Sequence, residues 1–250
     1  TVCHPRRDQC RDQQAETAMT WKTDCTRHNT REFFSPPWTH PVSSSVSPVH
    51  SLQLLSDAEA KEWFHRFLRN HRVRQPHRIF QEGGTGSAVN EDVRNTQDLG
   101  IVRVEGTDEL IDRQRRAAEE AILQTYGQSV SLVHAVDLQV LGYDTLGKFS
   151  LHADSHIRTI KGEWIHNTPQ RVFSSVTWLS TYRREPRAFN EFNGGQIRFP
   201  YFTREGRELS FEPRAGQMVV FPSHPAFSHE VLPVIRGYRM ALTLFWNTVK

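Results

Sequence analysis

Apolar and polar positions divide the chain into three stretches. Residues 1–50 hold no sustained period and close in the Pro/Ser-rich run 34–48, whose prolines at 36, 37, 41 and 48 forbid a continuous helix or a central strand. An irregular N-terminal arm is expected there, draped over the rest or mobile. A helical period then begins. Ser56 and Glu59 read as a capping box with Leu55 as the staple residue, and Trp63, Phe64, Phe67 and Leu68 follow at helical spacing, with Trp63 and Phe67 expected in the core. A second helix is signalled by Thr107 as N-cap, Asp108 and Glu109 in the first turn, apolar Leu110, Ile111, Ala118, Ala121 and Ile122, and Gly127 just past the end. The glycine-rich segment 82–87 between them lacks the Gly-Lys-Ser/Thr ending of a phosphate cradle and reads as a loop.

From residue 129 the period shortens to two. Alternation over 132–140 predicts one strand, and strand-like runs recur at 149–152, 172–180, 196–202, 208–211, 218–221, 229–234 and 239–246. Turn signals separate them, notably Asn193-Gly-Gly195, Pro213-Arg-Ala-Gly216 and Arg236-Gly237. Many short strands after two helices predict a mainly β sandwich or barrel with flanking helices. The expected division is an arm over residues 1–50 and a single domain over 51–250.

Composition narrows the class. With 250 residues, 37% hydrophobic and 24% charged, the chain is long enough for one substantial core and is expected to be soluble. No run approaches the roughly 18 apolar residues of a membrane span. Nothing shows the basic–apolar–small pattern of a secretory signal, so the compartment is open and the cytoplasm is the default expectation. A net charge of +3 is too small to argue for nucleic acid. The basic run Arg66, Arg69, His71, Arg72, Arg74 and Arg78 is read as the solvated side of an amphipathic helix, in preference to a nucleic-acid footprint. All three cysteines, Cys3, Cys10 and Cys25, fall in the arm, so the core is not a disulfide scaffold. Their spacings match no familiar zinc template, and free thiols or one disulfide are expected.

Thirteen histidines turn attention to metal chemistry. His152-Ala-Asp154 sets two ligand-type side chains two residues apart, on one face if they lie on a strand. His229 opens a later strand. Two imidazoles and a carboxylate make the facial triad of non-heme Fe(II) oxygenases. Ten residues on, Arg239 lies in the apolar strand 237–246, on the same face as His229 if the strands stay in phase. An arginine among Met240, Leu242 and Leu244 is costly unless it meets an anion, either a structural carboxylate or a bound one.

With its neighbours this constellation resembles the Fe(II)/2-oxoglutarate-dependent dioxygenases of the prolyl 4-hydroxylase-like superfamily. The resemblance runs from about Leu138 to Trp246 through Gly147-Lys-Phe-Ser-Leu-His-Ala-Asp154, Ser174-Ser-Val-Thr-Trp-Leu-Ser180, Phe192-Asn-Gly-Gly-Gln-Ile-Arg-Phe199, Pro213-Arg-Ala-Gly-Gln-Met-Val-Val-Phe-Pro222, His229-Glu-Val231 and Gly237-Tyr-Arg239. It implies a double-stranded β-helix (jelly roll, cupin-like), with Fe(II) on His152, Asp154 and His229. It also implies 2-oxoglutarate with its distal carboxylate on Arg239, Tyr143 and Trp178 lining the cosubstrate pocket, dioxygen as co-reactant and ascorbate as a supporting reductant. Phe149 stands where many relatives carry a tyrosine, and Ala241 where many carry Ser or Thr. Asp154 sets the chain apart from related halogenases, which have a small residue there.

The implied activity is oxidation of an unactivated C–H bond, by hydroxylation or by desaturation or oxidative cyclisation, with release of succinate and CO₂. A small substrate, amino-acid-like or carboxylate-bearing, is expected, with Arg158, Arg198, His156 and Trp164 as candidate contacts. A protein or peptide prolyl-type hydroxylase is the alternative, and a nucleic-acid dealkylase a more distant one. No membrane partner is expected, and the sequence leaves oligomeric state open.

Overall fold

The computed structural model describes residues 20–34, 41–70, 75–76, 79–80, 87–88, 94–99, 103–135 and 137–249. Cys3, Cys10, most of the glycine-rich segment 82–87 and the expected basic residues at 71, 72, 74 and 78 lie outside them. Cys25 is a free thiol.

Both helices form where the period predicts, with differences at their ends. The first, Asp57–Asn70, carries the capping box: Ser56 donates from its backbone N–H (2.7 Å) and hydroxyl (2.8 Å) to the Glu59 carboxylate, and its Oγ accepts the Glu59 N–H (3.2 Å). Its core face is Ala60, Phe64 and Phe67, whereas Trp63 is only partly buried. Trp63 instead stacks on Phe67 and lies under the Arg66 guanidinium, 5.2 Å from its ring centre. The second helix, Thr107–Tyr126, is not capped by Thr107. Gly106 holds the cap position at φ +83°, which an L side chain adopts only with strain, and Thr107 bonds back from the first turn to the Val104 carbonyl (2.7 Å). Gly127, at φ +69°, closes the helix by donating to the Leu123 carbonyl.

Two facing sheets carry the rest. One runs His50–Gln53, Gln217–Pro222, Phe173–Trp178, Arg239–Val249, Gln139–Tyr143, Gln97–Asp98 and Gln75–Pro76, with Ser131–His134 also paired to Arg239–Val249. The other runs Lys22–Thr23, Ile197–Arg204, His229–Val231, Lys148–His152 and Arg94–Asn95, with Arg207–Phe211 paired to Ile197–Arg204. Four antiparallel strands from residue 139 onward form the centre of each sheet, so the fold is the predicted double-stranded β-helix, mainly β with flanking helices. The expected single strand over 132–140 is two strands. Both pair with the last strand, His134 opposite Trp246 and Gln139 opposite Thr243, so four residues on one side face two on the other and the ladder bulges.

The last strand shows how one sequence serves two cores. Met240, Leu242, Leu244 and Trp246 are buried in the main apolar cluster, while Arg239, Ala241, Thr243 and Phe245 line a cavity between the sheets. Burial on both faces explains why the strand reads as a near-continuous apolar run. The helices cover the outer side of its sheet, where Thr177 donates to the Gln114 side chain (2.8 Å) in a fully buried pair. The cap geometry predicts that Ser56→Ala lowers stability by about 1 kcal/mol, measured by urea unfolding, since one hydroxyl serves as both acceptor and donor at the helix start.

Candidate metal centre

A bulge aims the first histidine. In the ladder between Lys148–His152 and His229–Val231, Phe149 lies opposite Val231 and His152 opposite His229, so three steps on one strand match two on the other. Without that extra residue Phe149 and His152 would point to opposite faces. With it both line the cavity, their rings stacked with centres 3.4 Å apart. Asp154 is not on the strand, which ends at His152; it sits in the bend that follows. Its main chain is held there by Thr168 Oγ1 (3.0 Å) and Arg171 Nη1 (3.2 Å), both donating to its carbonyl.

His152, Asp154 and His229 converge. Their ligand-type atoms all lie within 4.8 Å of one another, with His152 Nε2 3.4 Å from Asp154 Oδ1 and His229 Nε2 3.9 Å from Asp154 Oδ2. Each histidine donates its other nitrogen to a carbonyl: His152 Nδ1 to Ser150 (2.9 Å) and His229 Nδ1 to Phe227 (3.1 Å). That choice of tautomer leaves both Nε2 lone pairs facing the carboxylate. Burial, with His152 nearby, pushes His229 down to about 4, so its imidazole is neutral at physiological pH. Burial alone would raise the Asp154 carboxyl, but His229, His152 and the Ser174 hydroxyl outweigh it and hold the group well below the usual carboxylate range. A charged oxygen donor and two neutral nitrogen donors suit a divalent iron.

Arg239 faces this trio across the cavity. It and His229 do not share a face of one continuous run, as their spacing suggested: they sit in opposing sheets, and the sandwich brings them together. Arg239 is 1% exposed, its guanidinium lies over the Tyr143 ring (4.4 Å), and its Nε donates to the Gly195 carbonyl (3.0 Å). Its Nη1 has no partner among the described residues. Gly195 permits this approach: at φ +63°, any Cβ there would come within 3.0 Å of Arg239 Cδ. A buried guanidinium with a donor unused among the described residues has the geometry to take a carboxylate.

The comparisons with known proteins follow this geometry. Residues 138–247 match the 2OG-Fe(II) oxygenase superfamily. Those residues form a 2OG-Fe(II) oxygenase domain. No protein of curated function matches the chain in sequence. In structure it is similar to a Pseudomonas putida prolyl-4-hydroxylase (20% identity, TM-score 0.54, covering 81% of this chain and 93% of that one). It is also similar to a Trichoplax adhaerens prolyl hydroxylase in complex with a hypoxia inducible factor peptide fragment (14%, 0.57, 97% and 94%). A third likeness is the viral collagen prolyl hydroxylase of Paramecium Bursaria Chlorella virus-1 in its 2OG complex (15%, 0.52, 81% and 96%). At these identities the likeness establishes the fold. The oxygenase domain makes the protein an oxidoreductase of dioxygenase type, and the superfamily implies Fe(II) and 2-oxoglutarate. No helix among the described residues is long and apolar enough to cross a membrane.

Of the other expected site residues, Tyr143, His156, Arg158 and Trp164 line the oxygenase cavity, whose volume is about 360 Å³. His156 stacks on His166 (4.4 Å), and Trp164 donates its indole N–H to the His28 carbonyl (2.8 Å). Trp178 and Arg198 do not line it. Trp178 is fully buried in the main apolar cluster. Arg198 alternates with the cavity-lining Ile197, so it points outward, where it pairs with Glu230 (2.8 Å from Nε) and Glu208 (3.1 Å). Two cavity arginines escaped the sequence reading. Arg94 lies over the Phe149 ring (4.2 Å) and Arg171 over the Phe245 ring (3.9 Å), with Arg171 Nε unpartnered. Arg171 stands three residues before Ser174 and was legible only as one basic residue among many.

Metal binding to the converging trio is expected to raise Tm by roughly 5–10 °C at Mn(II) concentrations a hundredfold above Kd. His152→Ala and His229→Ala remove that rise, whereas His156→Ala keeps it, as differential scanning fluorimetry will show.

Proposed function

We propose that the domain oxidises an unactivated C–H bond of a small carboxylate-bearing substrate, with Fe(II) held by His152, Asp154 and His229 and the distal carboxylate of 2-oxoglutarate held by Arg239. The observation that carries this reading is the unpaired Nη1 of a fully buried arginine facing the same cavity as the histidine–carboxylate trio. Fe(II), 2-oxoglutarate and dioxygen together supply the oxidising power for C–H cleavage, with release of succinate and CO₂.

The chain's own residues supply binding and order. His152 and His229 present fixed Nε2 lone pairs, and Asp154 is kept ionised. Arg239 meets a carboxylate with its planar fork, and the Tyr143 ring fixes the plane of that fork from behind. Leu141, Phe149, Val176 and Val231 give the cavity apolar walls that keep water away.

The substrate class follows from charge. Besides Arg239, the cavity is lined by Arg94, Arg158 and Arg171, and neither Arg158 nor Arg171 forms a side-chain ion pair with a carboxylate among the described residues. Asp154 is the one carboxylate in its wall among the described residues. A site with this balance favours an anion over a neutral chain, and its 360 Å³ suits a small one. His156 and Trp164 border the same opening and shape it. Hydroxylation is the simplest outcome; desaturation and ring closure use the same residues and differ in where the substrate is held.

A peptide hydroxylase is the second reading, favoured by the solved neighbours, which are prolyl hydroxylases, one in complex with a peptide fragment. Incubation with Fe(II), ascorbate and 2-oxoglutarate separates the two. Small amino and carboxylic acids are expected to stimulate succinate formation, and proline-containing peptides are not. Arg158→Gln should raise KM for the acid about 10-fold with a small change in kcat, the worth of one charged hydrogen bond. Arg198→Gln should leave both unchanged. No succinate across the panel, or stimulation by peptides alone, overturns the reading.

A further inference from the structure

The carboxylate of Asp154 is steered from the opposite sheet. Ser174 lies in the middle of Phe173–Trp178, is fully buried, and places its Oγ 2.6 Å from Asp154 Oδ2. The carboxylate is ionised and can only accept, so the Ser174 hydroxyl donates. Its oxygen lies 2.7 Å from the Ser223 Oγ, and since its proton is committed to Asp154 it accepts from Ser223. Ser223 is 1% exposed and fixed at both ends of its peptide unit: its N–H donates to the Val172 carbonyl, and its carbonyl accepts from the backbone N–H and hydroxyl of Ser155. The result is a directed chain from Ser223 to Ser174 to Asp154 Oδ2.

We propose that Ser174, backed by Ser223, is a positioning residue that sets how Asp154 meets the metal. The inference rests on the metal assignment made above. A buried carboxylate can ligate through one oxygen or chelate through both, and rotation of its side chain interconverts the two. The Ser174 bond occupies Oδ2 and leaves Oδ1, on the His152 side, as the ligand atom. One-oxygen ligation keeps a coordination position free for the cosubstrate. The backbone of Asp154 does not depend on Ser174, because Thr168 and Arg171 hold its carbonyl and Asn167 and Thr168 hold the next residue's. Loss of the Ser174 hydroxyl therefore frees the side-chain torsion without freeing the bend.

Co(II) alone is the probe, with Kd taken from a titration and ligation from its visible spectrum in the absence of 2-oxoglutarate. Ser174→Ala is expected to weaken Co(II) binding about 10- to 100-fold and to change the visible bands as coordination changes. Ser174→Thr, which keeps the hydroxyl, is expected to restore both. Ser223→Ala shifts both in the same direction by a smaller amount, and it serves as the second variant should Ser174→Ala fail to give a folded apoprotein by circular dichroism. If wild type binds Co(II) and either folded alanine variant matches it in Kd and spectrum, the positioning role is wrong and the metal assignment stands. If wild type binds no Co(II), or His152→Ala binds as well as wild type, the metal assignment itself fails and this role with it.

Discussion

Charge enclosed between two β-sheets is the constraint that the rest of this structure answers. Taking a carboxylate or a guanidinium out of water costs several kcal/mol even after relaxation, and the cost is recovered only by partners of good geometry. Asp154 meets this requirement with a serine hydroxyl and two imidazoles, and it stays ionised in spite of burial. Arg239 meets it only in part. A carbonyl takes its Nε and an aromatic face its plane, while Nη1 is left for something that arrives. The difference separates two kinds of buried charge: one settled by the fold, one with a donor left open among the described residues.

Satisfying those charges dictates local backbone that a regular ladder would not provide. The bulge before His152 turns that ring onto the cavity face, and the Gly195 backbone, in a conformation closed to most residues, lets the Arg239 side chain pass. Both departures stand beside the site, where irregular backbone is retained because it aims a side chain. The last strand itself divides its residues by simple alternation between cavity and helix-covered core.

This pattern decides what could be read from the amino-acid sequence. The helices, most of the strands and the ligand types of His152, Asp154 and His229, which the structure brings together, were legible, because periodicity, capping residues and ligand types are local properties. The bulge was not legible, since nothing in Phe149-Ser-Leu-His152 marks an extra residue; it exists only against its partner strand. The same holds for the break between His134 and Gln139. Arg198 was misplaced for the opposite reason. It is expected among the substrate contacts, but one step of alternation sends it outward to two glutamates. Arg171 was overlooked because its value comes from Phe245 and the Asp154 carbonyl, both supplied by tertiary structure.

One hairpin that lines the cavity draws part of its support from outside the two sheets. The family resemblance covers 138–247, yet part of the support for the hairpin His156–Arg158 and Trp164–His166 comes from before it. His28 accepts the Trp164 indole N–H, and Phe33 sets its ring edge-on to His156 at 5.1 Å. The same segment is fastened by Lys22–Thr23 pairing with Phe202–Thr203 and by His28 bonding the Tyr201 hydroxyl. Substitutions there reach Trp164 and His156 through contact while leaving His152, His229 and Arg239 on their strands and Asp154 in the bend that Thr168 and Arg171 hold. Change is therefore cheaper in the N-terminal segment than in the strands and the bend at Asp154, which must keep two buried charges satisfied.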